Sequence, residues 1–121
     1  MQQVQDALAF RENGSISAIV LADGVSGGLF GGEGARCCAD AAADLLMKKG
    51  RMLFNCDRKE SAEFITGHVV YEQRRLAREM EQPEKEYAST LAAGFFDRQA
   101  EKLLYCSLGD SMILAVRREP C

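Results

Sequence analysis

Apolar and polar positions keep one period in the first part of the chain, change to another, and then return. Ala7-Leu8-Ala9-Phe10 and Ile16-Ser17-Ala18-Ile19-Val20-Leu21-Ala22 are short apolar runs on either side of Glu12-Asn13-Gly14. β-Branched residues in the second run and the Asn-Gly pair between the two predict a β-hairpin. From Glu33 to Lys49, Ala35, Cys38, Ala39, Ala42, Leu45 and Leu46 recur three and four residues apart, the spacing of one helix face. Gly50 is the expected C-cap of that helix. Ser61 is the expected N-cap of a second helix, with Ile65, Val69, Leu76 and Met80 on one face and Pro83 at or just beyond its end. Strand chemistry then returns in Ser89 to Asp97, Leu103 to Leu108 and Ser111 to Arg117, with turns at 98–101 and at Gly109-Asp110.

Two strands, two helices and three strands, with hairpin-length connections between neighbouring strands, predict an α+β domain: a largely antiparallel sheet with the helix pair on one face. Both registers of the later strands are apolar, Leu91, Ala93 and Phe95 in one and Ala92 and Phe96 in the other. Such a sheet needs cover on both faces, and two helices cover one. An exposed apolar sheet face is an interaction surface, so a homodimer through that face is expected.

The length of 121 residues corresponds to one domain, and the net charge of -3 arises from interspersed acidic and basic residues. No basic block marks a nucleic-acid or anionic-membrane partner, so neither is expected. No run reaches bilayer length and no secretory pattern opens the chain, which makes the cytoplasm the expected location. The five cysteines, Cys37, Cys38, Cys56, Cys106 and Cys121, have no CxxC spacing and are expected to be reduced small hydrophobes. The single histidine, His68, falls among Phe64, Ile65, Val69 and Leu76 at helical spacing, as a helix-face residue rather than a base.

Candidate chemistry centres on Asp23-Gly24, at the end of the apolar run Ile16 to Ala22 and followed by the glycine-rich Val25-Ser26-Gly27-Gly28-Leu29-Phe30-Gly31-Gly32. If the first two runs pair as a hairpin, Asp6 and Asp23 meet at its open end. Two facing carboxylates repel and are stabilised by a hard divalent cation such as Mg²⁺ or Mn²⁺. In the plainer alternative Asp6 ends a strand and Asp23 supports a turn. The glycines lack the P-loop and dinucleotide spacings, and a conformational role for them outweighs phosphate binding. Gly109-Asp110-Ser111 is first of all a tight turn.

Gln5-Asp6-Ala7, then Leu21-Ala22-Asp23-Gly24-Val25-Ser26-Gly27-Gly28 running to Gly32-Glu33-Gly34-Ala35, then Ser89-Thr90-Leu91-Ala92-Ala93 and Leu108-Gly109-Asp110-Ser111, occur in that order. Together they resemble successive motifs of the PP2C-type (PPM) metal-dependent protein serine/threonine phosphatases. The resemblance implies the N-terminal half of an α-β-β-α sandwich, so residues 1–121 are expected to be one truncated domain of that kind. It also implies a binuclear Mn²⁺ or Mg²⁺ site, with Asp23 and the carbonyl of Gly24 as ligands and Asp6 in the first motif. No side chain serves as nucleophile: hydrolysis of phosphoserine or phosphothreonine is by a metal-activated water. Asp110 matches a position more structural than ligating. Gln5 stands where many members have Glu, and Met1 where a phosphate-contacting arginine is common.

The implied partners are a phosphoprotein substrate or a regulatory protein. The alternatives are a non-catalytic pseudophosphatase or regulatory module of the same fold, and a metal-free α+β interaction domain.

Overall fold

The computed structural model describes residues 6–24, 30–87, 89–109 and 112–120, the last segment and Leu108 by backbone alone. Strands β1 (Asp6–Asn13) and β2 (Ile16–Gly24) lead into helices α1 (Gly31–Leu53) and α2 (Arg58–Glu79). A short 3₁₀ turn (Glu84–Tyr87) precedes β3 (Ser89–Asp97), β4 (Lys102–Gly109) and β5 (Met112–Pro120). The strands form one antiparallel sheet in the order β1-β2-β3-β4-β5, and both helices lie on the same face. This is the α+β arrangement that the change of period predicts.

The first hairpin closes through Gly14 and Ser15, one residue later than an Asn-Gly centre would place it. Asn13 pairs with Ile16, and Gly14 has φ of 60° where Ser15 does not turn positive, the pattern of a type II′ turn with glycine first. Alternation then sorts every strand. Ala7, Ala9, Ala18, Val20, Ala22, Leu91, Ala93, Phe95, Leu104 and Cys106 face the helices and are buried. These inner residues are mostly small, and α1 answers with Ala35, Ala39, Ala42 and Ala43, all buried. The pair of alanine-rich surfaces lets helix and sheet approach closely, with Leu45, Leu46 and Leu53 filling the space at the margins.

Gly50 is the point of closest approach. It lies inside α1, where a Cβ would come within 2.5 Å of the Phe95 ring. The expected C-cap is therefore wrong: the glycine makes room for an aromatic ring, and the helix continues to Leu53. Ser61 is likewise not the N-cap of α2. Asp57 holds that place, its side chain accepting from the backbone N–H of Glu60, while Ser61 is fully buried and its hydroxyl donates to the Leu53 carbonyl at 3.3 Å. Ile65 and Val69 are buried as the spacing predicts, but Met80 lies beyond the helix end and is exposed.

Polar contacts fasten α1 along β1 and at the hairpin turn. Arg11 donates to Asp40 and Asp44, each at 3.1 Å, and Arg36 donates to the Leu8 carbonyl on the sheet edge. At the turn, Arg51 reaches Ser15 at 2.8 Å and, on β3, Asp97 at 2.9 Å. Asp97 also accepts from the backbone N–H groups of Gln99 and Ala100, forming the turn between β3 and β4. The Arg51 guanidinium, helped by those N–H groups, holds the Asp97 carboxyl below the usual carboxylate range.

Two expectations follow. Gly50→Ala gains helix propensity of about 1 kcal/mol yet must displace the Phe95 ring, an overpacking cost of about 1–3 kcal/mol, so urea denaturation should show net destabilisation. The depressed Asp97 pKa contributes stability that is present above the unfolded-state pKa near 3.9 and is lost as pH falls through the lower folded value. Melting temperatures between pH 5 and pH 2 should accordingly fall less steeply in Asp97→Asn than in the unchanged protein.

Candidate metal centre

Counting back from the two-residue turn, the hairpin register puts Asp6 directly opposite Asp23. Both carboxylates belong to the sheet face that the helices leave bare, since Ala7 and Ala22 beside them point inward. The meeting of Asp6 and Asp23 at the open end of the hairpin is thus a consequence of strand pairing alone. Hydrogen bonding to Asp6, followed by charge repulsion from it, holds the Asp23 carboxyl above the usual carboxylate range.

The two acids open onto a cleft of about 450 Å³, lined also by Leu21, Thr90, Ala92, Ser107 and Gly109. No lysine or arginine lines it among the described residues. The strand end beneath is well fixed. Ser89 Oγ lies 3.1 Å from the Asp23 carbonyl and 2.8 Å from that of Thr90, so its single proton serves one or the other, and Thr90 Oγ1 is 3.4 Å from the Asp23 carbonyl. Gly24 pairs with Ser89 and packs against α1: a Cβ there would lie 2.5 Å from the Gly31 carbonyl oxygen. Its lack of a side chain is therefore required by the helix start, whatever its own carbonyl binds.

Sequence reasoning did not single out Thr90 or Ser107 by their place in a cleft. The signal lay in the strand register: Thr90 is opposite Asp23, and Ser107 is opposite Ala92. Gln5 and Met1, residues 25–29 of the glycine-rich stretch, Asp110, Ser111 and Cys121 lie outside the described residues. Cys37, Cys38 and Cys106 carry free thiols; burial pushes the Cys38 and Cys106 thiols up to about 12, as befits packing residues.

The family profile described as Protein phosphatase 2C matches residues 2–120. The chain belongs to the protein phosphatase 2C family. Its fold is similar to that of RsbX in complex with magnesium, at a TM-score of 0.50 and 16% identity over 89% of this chain and 43% of that one. It is also similar to the RsbU and RsbW domains of a Mycobacterium tuberculosis protein, at a TM-score of 0.54 and 14% identity over 99% of this chain and 36% of that one. No curated protein sequence matches it. This protein phosphatase 2C chain thus spans less than half the length of either solved structure. No helix among its described residues is long and apolar enough to cross a membrane.

The donor set suits the metal-dependent chemistry of the protein phosphatase 2C family. Asp6, Asp23 and the Gly24 carbonyl are all oxygen donors, and a hard cation such as Mg²⁺ is commonly held by one or two carboxylates while keeping several waters. No group of three or more potential metal-binding side chains converges among the described residues. The carboxylate pair therefore needs donors beyond itself to complete a coordination shell.

Asp23→Asn tests the electrostatics independently of activity. With metal removed by EDTA, it should melt above the unchanged protein at pH 7, because the raised Asp23 pKa marks a charged form that costs stability above that pKa. With Mn²⁺ added, the order should reverse, since only the intact pair gains from a ligand that binds the folded state.

Proposed function

We propose that the chain is the metal-binding first half of a phosphoserine/phosphothreonine phosphatase domain. The observation that carries this reading is the Asp6–Asp23 pair at the rim of an apolar sheet face, in a cleft with no cationic side chain among its described lining residues. Asp6 and Asp23 would hold Mn²⁺ or Mg²⁺ with the Gly24 carbonyl. A metal bound there supplies Lewis acidity, making water a competent nucleophile near neutral pH and offsetting charge on the phosphoryl group. The hydroxyls of Ser89 and Thr90 keep the end of β2 in place, and the backbone packing at Gly24 limits its movement. Ser107, half-buried in the same cleft, offers a hydroxyl to a phosphoryl oxygen or to water.

The bare face supports a second part of the proposal. Leu8, Phe10, Ile19 and Leu21 are 54%, 55%, 50% and 58% exposed, and they adjoin Ala92 and Tyr105 in the same face. A layer laid over them would exclude water beside the carboxylates, where lower polarity strengthens every charge interaction. We assign that layer to a second copy of this chain when the chain is alone. In the cell, a regulatory protein is the competing occupant, and a non-catalytic role in binding it is the alternative reading.

The deciding measurement is hydrolysis of a phosphothreonine peptide by this polypeptide with Mn²⁺, with EDTA, and with Asp23→Asn. Asp23-dependent Mn²⁺ binding with little or no turnover is the expected result for this chain alone, as its carboxylate pair needs further donors. Turnover requiring both Mn²⁺ and Asp23, and falling with dilution or in Leu21→Glu, would show a second copy completing the centre, and Mn²⁺ binding unchanged in Asp23→Asn would overturn the proposal.

A further inference from the structure

On the opposite side of the molecule, the outward surface of α2 carries a seam. Phe64, Gly67, Tyr71, Arg74 and Arg78 follow one another at intervals of three and four, the spacing by which one helix packs against another. Phe64 and Tyr71 are exposed large side chains, 41% and 57% accessible, on a face that contributes nothing to the core. A groove of about 610 Å³ runs over Gly67, Val70, Tyr71, Arg74 and Arg78 and is lined also by the acidic Glu84.

Gly67 is the unexplained residue of this seam. It sits in a helix interior, where glycine is unfavourable relative to alanine. Among the described residues nothing lies within 4 Å of the place its Cβ would take, and its backbone is not in the left-handed region. Neither packing against the described residues nor backbone conformation requires it. Gly50 in α1, by contrast, is required by the ring of Phe95. A glycine facing open space, between two exposed aromatic residues, is suited to the close approach of something from outside.

The charge along the seam is uneven. Its first half is apolar or bare; its second half presents Arg74 and Arg78. Among the described residues Arg74 pairs with the exposed Glu84 at 3.2 Å, an ion pair easily exchanged in water, and Arg78 forms no ion pair. We infer that this seam is a docking site for an amphipathic helix of a partner protein, acidic in its N-terminal turns and apolar after them, lying antiparallel to α2. In that orientation the partner's acidic first turns reach Arg74 and Arg78, where carboxylates also suit the positive end of the partner's own dipole. Its apolar positions then meet Tyr71, Gly67 and Phe64. The seam is separate from the Asp6–Asp23 cleft, and the proposal does not depend on catalysis.

The test uses the full chain in EDTA and a fluorescein-labelled three-heptad peptide with glutamates in its first two turns and leucines at later seam positions. A control peptide replaces those glutamates with lysines. Fluorescence anisotropy should show the acidic peptide binding about fivefold or more tightly than the lysine peptide, as two exposed ion pairs permit. The double variant Arg74→Glu/Arg78→Glu should invert that preference. Gly67→Ala should raise the melting temperature by about 4 °C and yet weaken acidic-peptide binding about fivefold.

Equal binding of both peptides, no binding up to about 1 mM (about -4 kcal/mol), or Gly67→Ala without effect on affinity would each overturn the proposal. So would a concentration-dependent dimer abolished by Tyr71→Glu and retained by Leu21→Glu, which would assign the seam to a second copy.

Discussion

The pairing register of β1 with β2 is the constraint on which the rest depends. With only Gly14 and Ser15 between the strands, Asn13 must face Ile16, and each step back along β1 is matched by a step forward along β2 until Asp6 meets Asp23. Side chains alternate with a period of two, so a slip of one residue would turn Leu8 and Phe10 towards α1 and Ala7 and Ala9 away from it. The alanine-lined contact with α1 has no room for that exchange, and one carboxylate would be driven against the helix. The close packing of the inner face and the meeting of the acids on the outer face are two results of the same count.

That count also produces an asymmetry. The inner face of the hairpin carries mostly small residues and is closed tightly by α1, whereas its outer face keeps the larger Leu8, Phe10, Ile19 and Leu21 with no layer of described residues over them. The helices therefore satisfy the half of the sheet with less apolar surface per side chain. Because Asp6 and Asp23 lie at the rim of the uncovered half, whatever covers it also sets the polarity around the acids. Cover and chemistry are coupled through solvent, without any contact between the covering layer and the carboxylates being needed.

The hairpin, the two helices and the three later strands were legible because each has a period read from consecutive residues. The carboxylate pair was legible for the same reason: its members are joined by one short hairpin, so local pairing predicts their meeting. Other residues were misread where the deciding neighbour is remote. Gly50 looks like a helix terminator until Phe95, far along the chain, is placed against it, and Ser61 looks like a cap until the Leu53 carbonyl claims its hydroxyl. Thr90 belongs to the cleft only once β3 is laid beside β2.

By itself, then, the sequence determined the element types, the division of each strand into two faces, the excess of apolar surface over what two helices can cover, and the Asp6–Asp23 encounter. The family motifs lie in that same linear order. Tertiary structure decided which face the helices take, which glycine makes space and which faces open solvent, and which hydroxyls line the cleft. The physical reason is range: periodicity and turn geometry act over a few residues, whereas steric room and the walls of a cleft depend on atoms that only packing brings together.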